Sequence, residues 1–223
     1  MSKKILVVAA HPDDELLGPG GTVASHSSCG DQVTIAFIAD ADSARYDKVK
    51  MQTVRNDAIQ AAQHLGVCDV QFAGLPDQGL DALPILKITQ WIENVLRDTQ
   101  PQIIYTHHFG DINRDHRVVY EAALTAARPY SAPYVERILC YETPSATEWA
   151  GSSVADAFAP NVFVDISQHL ESKINAMSAY ETEIRDFPHP RSLEAIRVRA
   201  ATWGSVIGVT AAEAFVLVRE TIR

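Results

Sequence analysis

The chain has 223 residues, of which 47% are hydrophobic and 21% charged, and its formal net charge is −9 at pH 7. This composition excludes a disordered chain, and without a dense Lys/Arg cluster a nucleic-acid surface is disfavoured. The apolar runs are far shorter than the roughly 20 residues of a membrane span, so we expect no span and no signal peptide, and predict a cytoplasmic protein. The three cysteines are widely separated and odd in number, which fits a reducing compartment and disfavours a disulfide framework.

Short apolar runs rich in β-branched residues alternate with longer segments of helical periodicity, which predicts βαβ units and a parallel sheet. In chain order, the predicted strands are Lys4–Ala9, Gln32–Ile38, Asp69–Ala73, Gln102–Thr106, Arg137–Tyr141 and Asn161–Ile166. The predicted helices are Asp47–Leu65, Pro84–Asp98, Asp115–Ala127, Gln168–Thr182, Ser192–Val206 and Ala211–Glu220. We therefore predict one α/β domain over residues 1–223, with the last three helices covering the sheet.

The predicted order of elements also indicates where a site would lie. In doubly wound sheets with the strand order 3-2-1-4, the first and fourth strands are neighbours, and ligands bind beyond their carboxyl ends. The segments that follow these two strands should therefore face each other. Both are rich in His, Asp and other polar residues.

The first of these segments reads His-Pro-Asp-Asp-Glu over residues 11–15. His11 and Asp14 are three residues apart, so a single turn can direct both side chains to one divalent metal ion. Asp13 would lie beside that metal, where a carboxylate can take a proton from metal-bound water. The alternative is a loop in which Asp13 or Asp14 caps the following helix.

Glycines follow at positions 18, 20 and 21. A glycine-rich turn before a helix can bind phosphate, but this one does not match the GxGxxG pattern and comes late for a dinucleotide site. We expect these glycines to allow close backbone packing near the site instead.

The second segment, His107 to His116, contains three histidines. His116 begins a helix and is our third candidate metal ligand, since two histidines and one carboxylate leave a position for water, as in hydrolytic zinc sites. We expect either His107 or His108 to point into the core as a hydrogen-bonded structural residue, and the sequence does not say which. Asp111 and Asp115 could be ordinary charges near a helix N-terminus.

The HPDDE element after the first strand, together with Asp115-His116 after the fourth, resembles the LmbE-like/PIG-L family of N-acetylglucosaminyl deacetylases. The resemblance runs from Lys4 to the C-terminal segments. It implies a Rossmann-like three-layer αβα fold with a mostly parallel doubly wound sheet. It also implies one Zn²⁺, with Fe²⁺ or Co²⁺ as other candidates, held by His11, Asp14 and His116, and Asp13 as general base.

The chain departs from the family pattern at one position. Many members have a histidine three residues before the last metal ligand, where this chain has Asn113. An asparagine can donate a hydrogen bond to an oxyanion but cannot carry a proton. Either Asn113 suffices together with zinc, or another histidine substitutes, and His189, between two prolines, is our candidate for that histidine. The candidate substrate contacts are Arg55, Asp111 and Arg191, and for Arg55 a solvated helix charge is the alternative.

The resemblance implies hydrolysis of the N-acetyl group of a GlcNAc-type amino sugar or sugar conjugate, releasing acetate and a free amine. A zinc amidase acting on another acyl amide is one alternative; a non-catalytic nucleotide-binding Rossmann module is another. The expected partner is a small-molecule amino sugar and not a nucleic acid, and a homo-oligomer is left open. Aromatic residues that could stack on a sugar ring or simply pack are Tyr46, Tyr130, Tyr134 and Trp149.

Overall fold

The computed structural model describes residues 2–41, 48–151, 153 and 156–222. The strands are β1 Lys4–Ala9, β2 Gln32–Ala41, β3 Asp69–Pro76, β4 Ile103–His107, β5 Arg137–Tyr141, β6 Val162–Asp165 and β7 Ala212–Glu220. The helices are α1 Asp14–Leu17, α2 Gly20–Ser28, α3 Lys48–His64, α4 Ile85–Thr99, α5 Arg114–Ala126, α6 Leu170–Met177 and α7 Leu193–Ile207. Short 3₁₀ turns lie at Leu80–Ala82 and Thr147–Trp149.

The strands form one seven-stranded sheet in the order β3-β2-β1-β4-β5-β7-β6. The pairs from β3 through β5 are parallel, and β7 pairs antiparallel with both β5 and β6. The predicted mostly parallel α/β fold and the neighbouring first and fourth strands are therefore confirmed. The carboxyl ends of β1 and β4 lie side by side, as the switch-point argument requires.

The two faces of the sheet are covered by two separate apolar cores. Side chains of β1 alternate between them: Ile5 and Val7 pack with α2, α3 and α6, while Leu6 and Val8 pack with α4 and α5. This alternation explains why β1 reads as a continuous apolar run, since both faces of a central parallel strand are buried. The result is a three-layer arrangement.

The prediction of a helix over Ala211–Glu220 was wrong, because this segment is strand β7. Its first residues, Ala-Glu-Ala, favour a helix, but Phe215 and Val216 begin a run of strand-forming residues. β7 fills the gap between β5 and β6, so burial within the sheet outweighs the weak helical preference. Two helices, α6 and α7, therefore lie on the sheet in the C-terminal part where three were expected.

Other predicted bounds shift by a few residues. α6 ends at Met177, five residues before the predicted end, and β3 continues three residues further than predicted, to Pro76. Asp47, the predicted first residue of the helix observed as α3, lies outside the described residues. Among the residues that are described, no helix is both long enough and apolar enough to cross a membrane.

The glycines after the first cluster serve close packing, as expected. A Cβ atom at Gly18 would overlap the ring of Tyr141, and one at Gly21 would overlap Ile166. These positions bring the α1–α2 turn against β5 and the segment after β6. That turn directly follows the HPDDE loop, so its packing supports the loop.

Candidate active site

The HPDDE loop turns sharply at the end of β1 and passes directly into α1. Asp14 is the first residue of α1, and its Oδ2 accepts a hydrogen bond from the His11 backbone N–H at 2.8 Å. Asp14 is fully buried, while His11 keeps 14% of its side chain exposed. The loop therefore presents one histidine edge to solvent with a carboxylate directly behind it.

Three side chains converge at the ends of β1 and β4. His11 Nδ1 lies 3.4 Å from Asp14 Oδ2 and 3.3 Å from His116 Nε2, and His116 Nε2 lies 3.4 Å from Asp14 Oδ2. Around a tetrahedral zinc ion with ligand bonds of about 2.0–2.1 Å, two ligand atoms lie about 3.3–3.4 Å apart. The three donor atoms therefore have the spacing of three corners of such a tetrahedron, and they form one of the groups that could hold a metal.

Carboxylates hold the outer nitrogen of each histidine. Asp111 Oδ2 lies 3.0 Å from His116 Nδ1. Asp115 Oδ2 and Asp77 Oδ1 lie 3.0 Å and 3.2 Å from His11 Nε2. A carboxylate on the far nitrogen fixes the ring orientation and tautomer of a metal-binding histidine. Asp111 and Asp115 therefore contact the two histidines of the site, in addition to lying near a helix N-terminus.

These charges shift the titration of the cluster. Burial alone would lower the pKa of His116, but Asp14 and Asp111 raise it to about 9. Burial alone would raise the pKa of Asp14, but His116 and His107 hold it well below its ordinary value. A metal ion bound here would replace protons on the histidines, so metal uptake and proton release are coupled.

Both histidines that end and follow β4 are buried, and His107 is the hydrogen-bonded structural one. Its Nε2 accepts from the Ala10 backbone N–H at 2.8 Å, and its Nδ1 lies 3.1 Å from Thr143 Oγ1. Burial lowers the pKa of His107 to about 4, so the ring is neutral. It stacks on the His116 ring at 3.9 Å between centroids and so supports the third donor. His108 turns away and accepts from the Gly110 N–H at 3.1 Å.

Asp13 is adjacent to Asp14 and lines the open side of the site. Its backbone has φ 109°, which is rare for a residue that carries a Cβ atom. Burial raises the pKa of Asp13 to about 7, although Arg191 opposes this shift. Arg191 Nη1 lies 2.9 Å from Asp13 Oδ2, 3.3 Å from Glu183 Oε2, and its Nε donates to Ser145 Oγ at 2.8 Å.

A cleft of about 600 Å³ is lined by His11 of the three donor residues and by Asp13. Asn113 and His189 both line it, Asn113 from the position before α5 and His189 from the segment before α7. Asn113 caps α5 through its side-chain oxygen, which accepts from the Asp115 N–H at 3.0 Å, so its amide N–H₂ is the end left for a ligand. His189 Nδ1 accepts from the Arg191 backbone N–H at 3.1 Å. Burial and the nearby arginines lower the pKa of His189.

Two of the predicted substrate contacts lie away from the cleft. Arg55 pairs with the buried Asp40 carboxylate and lies over the Phe72 ring, with 32% of its side chain exposed, and within the described residues it is not part of the cleft lining. Asp111 is fully buried behind His116. Both assignments as substrate contacts stay predictions, and the geometry of Asp111 favours holding His116.

Of the four candidate stacking residues, Trp149 lines the cleft, with its ring 6.0 Å from that of His189. The Tyr134 hydroxyl donates to the Leu96 carbonyl on α4, and Tyr130 is fully exposed. Tyr46 lies outside the described residues. Among the candidates that the structure describes, Trp149 is therefore the one placed to contact a molecule bound in the cleft.

Sequence reasoning missed several residues around the site. Asp77 directly follows β3, which lies in the same sheet as β1 and β4. A polar residue just after the carboxyl end of this strand could have indicated that it belongs to the site. Glu15 belongs to the HPDDE element but received no role, and Glu183 and Tyr180 carried no signal, because their roles depend on contacts between distant parts of the chain. The Tyr180 hydroxyl donates to Glu15 Oε1 at 2.7 Å across 165 positions.

The chain belongs to the PIG-L family. The family model, described as GlcNAc-PI de-N-acetylase, matches residues 6–127, which is more than half of the chain and includes all three donor residues. The chain's curated relatives in this family are named deacetylases, which are hydrolases of amide C–N bonds. The resemblance seen in the sequence and the expectation of an enzyme are thereby confirmed.

The chain is similar to relatives along most of its length. It is 24% identical over 193 residues to the probable N-acetyl-alpha-D-glucosaminyl L-malate deacetylase 2 of Bacillus subtilis, covering 82% of this chain and 84% of the relative. The fold matches N,N'-diacetylchitobiose deacetylase from Pyrococcus horikoshii, with a TM-score of 0.78, 22% identity, and coverage of 98% and 84%. It also matches GalB, a 4-carboxy-2-hydroxymuconate hydratase from Pseudomonas putida, with a TM-score of 0.76, 22% identity, and coverage of 99% and 98%.

Proposed function

We propose that the chain hydrolyses the N-acetyl amide of a GlcNAc-type sugar or sugar conjugate, releasing acetate and a free amine. The observation that carries this proposal is the set of three donor atoms, 3.3–3.4 Å apart, one of them on His11, which lines an open cleft together with Asp13. Membership in a family of de-N-acetylases supports the reaction class. The deacetylase relatives support an amino-sugar substrate.

His11, Asp14 and His116 would hold one divalent metal ion. Two imidazole nitrogens and one carboxylate oxygen suit zinc, and they also suit Fe²⁺ or Co²⁺. When bound, the ion would act as a Lewis acid, polarising the amide carbonyl and lowering the pKa of water toward ~7.

Asp13 is the proposed general base. Its carboxylate faces the cleft, and it would accept the proton of the attacking water. The Arg191 guanidinium, 2.9 Å from the Asp13 carboxylate, holds that carboxylate in place. Because this guanidinium also lines the cleft, we propose that it contacts substrate as well.

Donors for the developing oxyanion come from Asn113 and His189. The Asn113 side-chain oxygen is occupied by the helix cap, so its N–H₂ group is available to donate. A well-placed donor of this kind contributes about 3–4 kcal/mol to transition-state stabilisation. His189 or Asp13 would then protonate the leaving amine. Arg55 and Asp111, proposed as substrate contacts from the sequence, would need to act from their paired or buried positions.

The test is acetate release from a panel of N-acetyl amino sugars, presented free, lipid-linked and nucleotide-linked. We expect metal-loaded protein to release acetate from at least one of them. In Asp13→Asn we expect turnover to fall by about 10²–10⁴-fold while metal stays bound, because the base is lost but not the ligands. Asp98→Asn, an exposed acid on α4, is the matched control.

Each remaining result points to a different conclusion. Release of another acid from an acyl amide, but no acetate, would favour the amidase alternative. Tight nucleotide binding without metal would favour a non-catalytic module. Near wild-type turnover in Asp13→Asn would refute the base assignment.

A further inference from the structure

A buried hydrogen-bonded chain connects the proposed base to the C-terminal half of the molecule. The Asp13 backbone N–H donates to Glu15 Oε2 at 2.9 Å, and the Tyr180 hydroxyl donates to Glu15 Oε1 at 2.7 Å. Glu15 and Tyr180 are both fully buried. Tyr180 lies three residues beyond the end of α6, so the contact joins the first and last thirds of the chain.

The backbone of Asp13 needs such support. Its φ of 109° and ψ of −27° place a residue with a Cβ atom in a sparsely populated region. Conformations of this kind persist only where the surroundings fix them. The Asp13 carbonyl is fixed by the N–H groups of Leu16 and Leu17, at 3.0 and 2.9 Å. On the other side of the residue, Glu15 fixes the N–H.

The direction of the Asp13 side chain depends on this backbone conformation. If φ relaxed to a negative value, the Cα–Cβ bond would rotate and move the carboxylate away from its place beside Asp14. Within the described part of the chain, Glu15 and Tyr180 make no hydrogen bond to His11, Asp14 or His116. Their loss should therefore affect the base and leave the donor triad intact.

We propose that Glu15 and Tyr180 are positioning residues that hold Asp13 in its left-handed conformation and so direct its carboxylate into the cleft. The proposal rests on the proposed function, in which Asp13 is the general base. It assigns a role in turnover to a tyrosine that never reaches the substrate.

Three variants test the proposal: Tyr180→Phe, Glu15→Gln and Glu15→Leu. Replacing the hydrogen-bond partners of metal ligands typically costs about 10–100-fold in metal affinity or activity, and we expect the same range for the partners that hold the base. We expect Tyr180→Phe to lower kcat about tenfold and Glu15→Leu about 100-fold. Glutamine can still accept from the Asp13 N–H, so we expect Glu15→Gln to retain kcat to within about threefold. In all three, KM should stay within about twofold, and metal content at one ion per chain.

Tyr134→Phe is the matched control. It also removes a hydroxyl that hydrogen-bonds inside the fold, donating to Leu96 O at 2.7 Å, but Tyr134 is not part of the cleft lining. We expect its kcat to be that of the wild type. The proposal is overturned if Tyr180→Phe and Glu15→Leu both keep wild-type kcat, or if their kcat and metal content fall together.

A crystal structure separates this proposal from the proposed function. If the wild-type protein binds metal but releases no acetate, the proposed function fails, and the backbone of Asp13 then decides the positioning role. In Glu15→Leu, or in Tyr180→Phe should the former not fold, we expect φ of Asp13 to become negative. A φ that stays near its wild-type value would overturn the proposal.

Discussion

Asp111 does not line the cleft, but it lies where it can control His116, one of the three donor residues. Its Oδ2 is 3.0 Å from His116 Nδ1 and also accepts from the Thr147 hydroxyl at 2.8 Å. An acceptor at Nδ1 keeps the proton on that nitrogen and leaves Nε2 free to face His11 and Asp14. The same logic applies on the other side, where Asp115 accepts from His11.

Replacing Asp111 with asparagine tests this control. An amide N–H₂ placed opposite His116 Nδ1–H would favour the wrong tautomer, so we expect zinc affinity to fall by about 10–100-fold. Titration with a competing chelator would measure it. Asp81→Asn, at an exposed acid in the 3₁₀ turn after β3, should leave the affinity unchanged. Wild-type affinity in Asp111→Asn would show that this carboxylate does not tune the histidine.

At the scale of elements, β7 does more than complete the sheet. Its Glu213 accepts hydrogen bonds from the N–H groups of Gly21 and Thr22 in the first turn of α2, at 2.8 and 2.7 Å. Lys173 from α6 lies 2.6 Å from Glu213 and also donates to the Leu17 and Gly18 carbonyls. These bonds tie the turn behind the HPDDE loop to two C-terminal elements.

Breaking this buried pair should be costly. Glu213→Ala leaves the Lys173 ammonium without its carboxylate and two helix N–H groups without an acceptor, so we expect a loss of about 3–5 kcal/mol in unfolding free energy. Urea denaturation would measure this loss. Glu171→Ala, which breaks the exposed pair with Arg197, should barely move the midpoint. A change below about 1 kcal/mol in Glu213→Ala would contradict a stabilising role.

Across the whole molecule, the features predicted correctly are those that depend on residues close to one another in the sequence. Apolar runs and helical periodicity define β1 and β4, and the switch-point rule places their ends together. His11 and His116 are 105 positions apart in the sequence. His11 lies in the loop after β1, and His116 lies in the first turn of α5, the helix that follows β4. The same reasoning explains why the structure brings their nitrogens within 3.3 Å.

The features that were missed depend on packing between distant segments. No local pattern links Tyr180 to Glu15 or Arg191 to Asp13, because these contacts form only once the C-terminal segments pack against the HPDDE loop. β7 was misread for a related reason. Its alanines and glutamates favour a helix locally, and only the open position between β5 and β6 makes the strand more stable.

The measurement that tests the central claim most directly is the metal dependence of acetate release, in the wild type and in His116→Ala. We predict one metal ion per wild-type chain, loss of activity on chelation, and recovery on adding back Zn²⁺, Co²⁺ or Fe²⁺. His116→Ala, which lacks one of three donors, should bind metal more weakly and stay inactive after reloading. Full acetate release by the stripped wild-type protein, or a fully active His116→Ala, would contradict the account.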